Sequence, residues 1–452
     1  MFSLLLAALS VSVSSPPGAP PLRAPETLIL GDPTGIEWSG LEPGETVRLH
    51  ALRRTTATRF ENGQRADTPV LLHAWADYRV GNDGQVDPDR SPAIDGTYKG
   101  LDANGLLWSG WPAGDSRIGP GSRADLPTDL LTDQRTLLVV PERAGLLLAP
   151  RAIPLRSFSD RVRFTELTVH RDGVSGVFAS LDGARAKPAL IQLHGSEGGS
   201  ITDARARAGR LAERGFSVLA LNYVAYGWTG GIAGVEPTLA NVPVETIDRA
   251  RSWLASRPEV ASSRIGLIGG SKGAEFALVA ATRYPWIKAV VGCVPSDAVW
   301  AGYGREPKPG ELLSSWTIAG KPLPFIPYDR YDDVFSGKAT AAEVHVRSRQ
   351  KAGEAAVKAS LIPIERITAP LLLLSGGKDE VWPSAIMSAS IAAAAQRRRA
   401  PRVTHLSWPD AGHNICGTGT APVRETGSDG AADAKASGEA FRATLQFLRA
   451  TL

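Results

Sequence analysis

The sequence predicts two domains: an all-β immunoglobulin-like sandwich, followed by an α/β domain with a mostly parallel sheet and helices on both faces. In residues 26–156, short alternating or apolar runs are separated by Gly, Pro and Asp turns, which is typical of a sandwich. From residue 189 onward, strand-like and helix-like runs alternate, which favours a doubly wound sheet. A chain of 452 residues is also too long for one ordinary core.

We place the sandwich at residues 22–157 and the α/β domain at residues 158–452. Alternating residues predict that the α/β domain begins with two antiparallel strands, at 161–169 and 174–181. Apolar periodicity predicts helices at 203–214, 244–257, 272–283, 384–396 and 437–448.

The alternation of strands and helices breaks at about residues 297–365. A Pro-rich stretch is followed there by a charged helical segment near residues 339–358, which indicates a cap inserted over the sheet. Aromatic residues of a cap contact an apolar substrate or simply pack, and both alternatives stay open for Trp300, Trp316, Phe325 and Tyr328.

A G-x-S-x-G motif lies between a predicted strand and a predicted helix. Residues 264–268 are an apolar run, residues 269–273 read G-G-S-K-G, and a helix-forming run follows. Small flanking residues allow the strained strand-to-helix turn that exposes the central hydroxyl at a helix N-terminus. The motif therefore predicts Ser271 as a nucleophile, although the bare pattern also occurs in Gly-rich turns.

An acid and a base follow later in the chain, each in a loop after a predicted strand. Asp379 follows the apolar run 370–374, and His413 follows the alternating run 403–408. The order Ser, Asp, His is that of α/β-hydrolases, in which His413 would take the proton of Ser271 and Asp379 would orient the imidazole. The plainer alternatives are that Asp379 caps the helix near Ser384 and that His413 is a turn residue.

A glycine-rich loop at residues 194–199, H-G-S-E-G-G, follows the apolar run 189–193. Acyl transfer needs backbone N–H donors for the oxyanion. We expect one N–H donor from Lys272 and a second from this loop, in which Ser196 and Glu197 are the candidates. A carboxylate opposes oxyanion binding, so the Glu197 side chain is expected to face away or to pair with a cation.

These residues resemble the two-domain acyl-CoA thioesterase and bile acid-CoA:amino acid N-acyltransferase family. The similar stretches include residues 266–275, 362–370 and 375–384, with 96–102 and 105–109 in the first domain. The resemblance implies an α/β-hydrolase with Ser271, Asp379 and His413 as its triad. It also implies hydrolysis of an acyl-CoA thioester through an acyl-serine intermediate.

Two departures from the family bear on function. Amino acid-conjugating members carry Cys at the nucleophile position, whereas this chain has Ser, as the thioesterase members do. The region after His413 is short and leads into a Gly/Ala/Asp-rich stretch. The alternatives are therefore a carboxylester hydrolase, an acyl-CoA:amino acid N-acyltransferase, or a non-catalytic binding protein on a hydrolase scaffold.

The N-terminus suggests export. Residues 1–15 form a short apolar run that ends in small residues, and a Pro/Gly/Ala linker follows, so residues 1–21 are predicted as a signal peptide and linker. No Lys or Arg precedes the run, and a mis-assigned start with a cytoplasmic protein is the alternative. An exported protein would rarely meet CoA, which favours the ester-hydrolase alternative.

The resemblance implies a small-molecule acyl thioester or ester as the partner, and composition argues against other classes of partner. The net charge is +4 and no basic run with interleaved aromatics occurs, so no nucleic-acid partner is expected. No other run is long enough to predict stable membrane insertion. No metal-ligand spacing or cofactor motif is present, so neither is expected.

The two cysteines are expected to be unpaired. Cys293 ends the apolar run 289–294, which predicts a buried strand, and Cys416 lies in the loop after His413. In a hydrolase sheet another strand would separate these two strand ends, so a disulfide is not favoured.

Overall fold

A computed structural model describes residues 21–61, 64–227, 230–398, 402–421 and 430–452. These residues form two compact units. One contains the described residues up to Arg156 together with Thr420 and Ala421, and the other contains the rest. The predicted signal peptide and linker, residues 1–21, lies outside the described residues except for Pro21.

The first unit is rich in β-structure, as predicted. Its larger sheet has the order β2-β11-β9-β4-β5-β7, with β10 on β9 and β8 on β5, and its smaller sheet has the order β1-β3-β6. The elements are β1 Leu22–Arg23, β2 Leu28–Ile29, β3 Glu37–Ser39, β4 Thr46–Glu61, β5 Gln64–Arg79, β6 Gln85–Val86, β7 Ala93–Gly96, α1 Gly105–Trp108, β8 Trp111–Pro112, β9 Thr136–Arg143, β10 Leu146–Leu147 and β11 Arg151–Arg156.

Inward-facing residues of these strands form the core of the first unit. Trp38 and Trp75 are fully buried, and Leu52 packs with Leu138 and Val140. Alternate residues of a strand point to opposite faces, so the alternation in the sequence produces this one-sided burial.

The second unit contains an eight-stranded sheet in the order β12-β13-β15-β14-β17-β18-β21-β22. The first two strands are antiparallel to their neighbours, and the remaining six run parallel. The strands are β12 Val162–Leu167, β13 Ser175–Leu181, β14 Lys187–Leu193, β15 Ser217–Asn222, β16 Val242–Pro243, β17 Val260–Gly270, β18 Ile287–Cys293, β19 Trp316–Ile318, β20 Lys321–Pro322, β21 Leu371–Gly376 and β22 Val403–Trp408.

Helices cover both faces of this sheet, which confirms the predicted α/β-hydrolase architecture. They are α2 Val169–Asp172, α3 Ile201–Ala212, α4 Glu245–Ala255, α5 Lys272–Arg283, α6 Asp332–Phe335, α7 Ala341–Ser360, α8 Ser384–Arg398 and α9 Gly430–Thr451. Strands such as β15 and β21 are buried along their whole length, because both of their faces meet helices. That is why they appear in the sequence as continuous apolar runs.

The segment between β18 and β21 departs from the alternation, as the sequence predicts. It contains β19 and β20, which pair with each other, and the helices α6 and α7. Strand β19 also pairs with β16, which lies earlier in the chain, before α4. Helix α7 begins with a capping box formed by Thr340 and Glu343, and it is kinked at Gly353, whose φ is 78°. Among the described helices, none is both long enough and apolar enough to span a membrane.

Candidate active site

The turn from β17 into α5 holds Ser271 in a strained conformation. Ser271 has φ 54° and ψ −123°, a region that residues other than Gly rarely adopt. A Cβ at Gly269 would lie 2.2 Å from the Gly273 carbonyl oxygen, and a Cβ at Gly273 would lie 2.3 Å from the His194 carbonyl oxygen. Both glycines of the motif are therefore required by close backbone approach, as the motif predicts.

His413 and Asp379 form a hydrogen-bonded pair in the loops after β22 and β21. The Nδ1 atom of His413 lies 2.9 Å from Oδ1 and 2.8 Å from Oδ2 of Asp379. Backbone N–H groups of Val381 and Trp382 also donate to Oδ1, at 2.9 and 3.2 Å. The carboxylate is 1% exposed, and these bonds hold it against the imidazole. A donating Nδ1–H leaves Nε2 as the proton acceptor of the ring.

The expectation that the two cysteines are unpaired was wrong, because Cys293 and Cys416 form a disulfide. Strand β21 does separate β18 from β22, as expected. The loop after β22, however, passes back across the end of β21 and brings Cys416 to the end of β18. A Cβ at Gly270 would lie 3.4 Å from the Cys416 sulfur.

The disulfide brings the loop of His413 to the nucleophile turn. The carbonyl oxygen of Cys293 accepts a hydrogen bond from the Ser271 N–H at 2.9 Å. Cys416, three residues after His413, is bonded to the same Cys293. The structure thus brings together the predicted nucleophile, acid and base at the carboxyl ends of β17, β21 and β22.

The glycine-rich loop after β14 also reaches the nucleophile turn. A Cβ at Gly195 would lie 3.4 Å from the Ser271 Cβ. The Gly195 N–H donates to Oε1 of Glu197 at 2.9 Å, so that N–H is already occupied. The Glu197 side chain therefore folds back onto its own loop, and the positive charge of Arg207 attracts it. The candidate oxyanion donors remain the N–H groups of Ser196 and Glu197 in this loop and the N–H of Lys272 after Ser271.

A buried ion pair connects the nucleophile helix to the cap. Lys272 Nζ lies 2.8 Å from both carboxylate oxygens of Glu275, and both side chains are almost fully buried. Burial lowers the pKa of the Lys272 ammonium and raises the pKa of the Glu275 carboxyl, and their mutual attraction opposes both shifts. The indole N–H of Trp316 donates to Glu275 at 2.8 Å, which fixes the cap strand β19 to α5.

The cap carries a surface groove of about 750 Å³. Phe325 and Tyr328 line it, and for these two residues both alternatives stay open. Trp300 and Trp316 do not line it, since both are fully buried and Trp316 stacks on Phe276 at 4.3 Å between ring centroids. Of the two alternatives left open for these tryptophans, packing is correct.

Sequence reasoning missed Tyr303, which also lines the groove. Burial raises the pKa of the Tyr303 hydroxyl, and the side chains of Tyr226 and Ser196 are near enough to affect it, so Tyr303 connects the groove to the glycine-rich loop. No short motif surrounds Tyr303. Its place at the end of a strand-like run inside the predicted cap was the only available signal.

The other histidines near the site are engaged elsewhere. His194 stacks on Tyr223 with ring centroids 4.0 Å apart, its Nδ1–H donates to the Gly195 carbonyl, and burial lowers its pKa to about 3. His405 Nε2 bonds the Ser375 hydroxyl at 2.8 Å. Of these three histidines, His413 is the one that is bonded to Asp379.

Two family models match the chain. "BAAT / Acyl-CoA thioester hydrolase C terminal" matches residues 242–452, and "Acyl-CoA thioester hydrolase/BAAT N-terminal region" matches residues 31–139. These segments contain Ser271, Asp379 and His413 and most of the first unit.

Curated relatives of similar sequence cover most of the chain. Acyl-coenzyme A thioesterase 5 of Mus musculus is 29% identical over 388 residues, which are 85% of this chain and 82% of the relative. Mitochondrial acyl-coenzyme A thioesterase 2 of Homo sapiens is 28% identical over 405 residues, 87% of this chain and 76% of the relative. Peroxisomal succinyl-coenzyme A thioesterase of Mus musculus is 27% identical over 387 residues, with shares of 85% and 82%. The resemblance found in the sequence is confirmed, and the chain belongs to the acyl-CoA thioester hydrolase and BAAT family.

Proposed function

We propose that this protein is a serine hydrolase that cleaves acyl thioesters of the acyl-CoA type. The observation that carries the proposal is the imidazole of His413, whose Nδ1 is bonded to the buried Asp379, in a loop that the disulfide joins to the strand end next to the strained Ser271. The curated relatives, which are named as acyl-coenzyme A thioesterases, support the substrate class.

In the proposed mechanism, Ser271 Oγ attacks the thioester carbonyl while His413 Nε2 accepts its proton. Asp379 holds the imidazole in the required tautomer and stabilises its cation. The N–H of Lys272 and one N–H of the loop, from Ser196 or Glu197, stabilise the oxyanion. The thiolate leaves with a proton from His413. Water, deprotonated by His413, then hydrolyses the acyl-serine ester and restores the free hydroxyl.

The groove of the cap is the proposed acyl site. Phe325, Tyr328 and Leu313 provide apolar surface, and Tyr303 leads from the groove to the oxyanion loop through Ser196. Arg305 on the rim pairs with Glu311, and its side chain is one-third exposed, so it can also interact with the anionic part of a thioester substrate.

The second candidate is a carboxylester hydrolase of an exported protein, and the disulfide favours it. Disulfides persist in oxidising compartments and are rare in the cytosol. The pair Cys293–Cys416 therefore supports folding outside the cytoplasm, where CoA esters are scarce. An N-acyltransferase is less favoured, because Ser271 would form an oxyester, which transfers its acyl group to water more readily than to amines.

A panel of matched substrates separates these candidates. The full chain is incubated with an acyl-CoA and with an oxyester of the same acyl group, each with and without glycine or taurine. We expect the higher kcat/KM with the thioester, and free acid as the main product even with the amine present. Oxyester preference would support the second candidate, and mainly conjugate would support the transferase.

Variants test the nucleophile in the same assay. Ser271→Ala should lower turnover by at least about 10³-fold and abolish labelling by a fluorophosphonate. Ser252→Ala is the matched control, since this exposed serine of α4 bonds only the Asp248 carbonyl oxygen, at 3.0 Å. Near-normal activity of Ser271→Ala would refute the proposal.

A further inference from the structure

Helix α3 places two half-buried arginines next to the end of β17, the strand that leads to Ser271. Arg207 and Arg210 line a cavity of about 80 Å³, together with Gln192 of β14, Gly270 at the end of β17, and the disulfide. Thr418 and Thr444 complete its polar wall. The cavity lies within the second unit and is separate from the groove of the cap.

The guanidinium groups at this cavity are not neutralised by close carboxylates. Nε and Nη2 of Arg207 are buried and make no hydrogen bond to any described residue. Glu197 and Asp203 attract the Arg207 charge from a distance. Their carboxylates are occupied, however, by the Gly195 N–H and by the Ser200 hydroxyl, which donates to Asp203 at 2.6 Å.

Burial and mutual repulsion show that this charge is costly. Burial lowers the pKa of Arg207 and of Arg210, and the charges of Arg207 and Arg214 lower the pKa of Arg210 further. Even so, an arginine side chain stays protonated at neutral pH. Two half-buried cations that line one cavity without a close counter-charge are unfavourable unless an anion joins them.

The cavity has room for such an anion. A single water molecule needs roughly 10–15 Å³ of such space, and the cavity offers several times that volume. Guanidinium groups bind oxyanions through paired N–H donors. We propose that this cavity binds one small oxyanion of the phosphate or sulfate class, with Arg207 and Arg210 as its main ligands.

The bound oxyanion would join three elements around the nucleophile. Arg207 and Arg210 belong to α3, Gly270 directly precedes Ser271, and Thr418 belongs to the loop that carries His413. The proposal does not depend on the substrate or on the hydrolase mechanism. Binding of the oxyanion stabilises the folded chain, so it can be measured by thermal unfolding without an activity assay.

Inorganic phosphate is the probe for the first experiment. Thermal unfolding of the full chain is followed over a phosphate titration at constant ionic strength, set with a bulky organic anion. A ligand that binds only the folded state raises the Tm as its concentration passes Kd. We expect a saturable rise with phosphate and sulfate, a smaller one with formate, and equilibrium dialysis giving about one phosphate per chain.

Three variants locate the effect. Arg207→Gln and Arg210→Gln should each raise the half-saturating phosphate concentration by at least about tenfold, because each removes one charged hydrogen-bonding partner of the anion. Arg205→Gln is the matched control, because this arginine lies on the same helix, is exposed and stacks on Phe164 instead. Its phosphate response should equal that of the unmodified protein.

Further outcomes would overturn the proposal. A Tm that is independent of phosphate, with no phosphate retained in dialysis, would mean that water alone fills the cavity. An equal loss of the phosphate response in Arg205→Gln and Arg207→Gln would indicate a general salt effect.

Should the single variants fail to fold, the double change Arg207→Met with Arg210→Met removes both charges from the cavity. That protein should then fold without phosphate and show no phosphate response.

Discussion

At the scale of residues, contacts distinguish the two aspartates that could orient His413. Asp379 is buried and bonds the imidazole at 2.8 Å. Asp410, three residues before His413, forms an ion pair with Lys378 in which both side chains are mostly exposed. Such an exposed pair contributes about 0–1 kcal/mol to stability, and it leaves Asp410 on the surface, away from the imidazole.

We predict that Asp379→Asn lowers kcat by roughly 10⁴-fold, because the amide favours the wrong imidazole tautomer. Asp410→Asn, the matched change, should leave kcat within about twofold, as expected for a surface ion pair. Hydrolysis of one acyl-CoA by both variants is the measurement, with the Tm as a check of folding. Equal damage at the two positions would show that Asp379 is not the acid.

At the scale of elements, the cap helix α7 packs against the acid loop through His345. Its ring lies 4.4 Å from the Trp300 ring and 5.6 Å from the Trp382 ring, centroid to centroid. Trp382 in turn lies 6.1 Å from the His413 ring and donates its indole N–H to the Val294 carbonyl. The Nδ1–H of His345 donates to the Ala341 carbonyl within the helix.

Burial lowers the pKa of His345 to about 4 from an ordinary value of 6.5, helped by the charges of Lys272 and Arg349 and opposed by Asp379. The unfolded chain therefore binds this proton more tightly than the folded protein does. The contribution of neutral His345 to the free energy of unfolding is fully present above about pH 6.5 and is lost as the pH falls toward about 4. Between pH 7 and pH 5 the titration of His345 should lower the free energy of unfolding by about 2 kcal/mol.

His345→Phe should remove that part of the pH dependence. Urea unfolding gives the free energy of unfolding of each protein at pH 7 and at pH 5. The decrease between these two pH values should be smaller in the variant than in the unmodified protein by about 2 kcal/mol. His170→Phe is the control, since His170 is exposed on α2. An unchanged difference in His345→Phe would mean that His345 does not stay neutral on folding.

At the scale of the whole molecule, the disulfide joins residues 123 positions apart. It closes a loop that contains the cap, the acid and the base, and it anchors the end of β18 to the loop after His413. Long-range ties of this kind stabilise a fold mainly by restricting the unfolded chain.

Reduction of the disulfide should lower the free energy of unfolding by about 2–5 kcal/mol, as expected for a loop of this length. It should also lower kcat, since the loop of His413 loses its anchor. The measurement compares the Tm and hydrolysis rate with and without a phosphine reductant. The double change Cys293→Ala with Cys416→Ala is the control and should not respond to the reductant. A reductant-insensitive Tm in the unmodified protein would contradict the prediction.

Much of the fold could be predicted from the sequence, because it follows from local patterns. Helix α5 was predicted at residues 272–283 and begins and ends there, since its apolar residues and the preceding glycines act over a few positions. Helix α8 likewise begins at Ser384, as predicted. The two entry strands are antiparallel as expected, because their alternation and spacing are also local.

Errors arose where contacts depend on the path of a loop. The order of strands correctly separated β18 from β22, yet the loop after His413 returns across β21 and pairs the cysteines. Trp316 was a candidate for substrate contact, but the carboxylate of Glu275 accepts its indole N–H in the interior. Neither partner could be identified from sequence, since each lies tens of positions away with no periodic relation.

The sequence by itself determined the strand-turn-helix at Ser271, the order of the candidate residues Ser271, Asp379 and His413, and the family, because these are properties of neighbouring residues. Only the tertiary structure decided that Asp379 holds His413, that Cys293 bonds Cys416, and that the arginines of α3 share a cavity with the nucleophile strand. The reason is physical: a hydrogen bond, a disulfide or a buried charge depends on distances of a few ångströms between distant segments. Packing of the whole chain sets those distances.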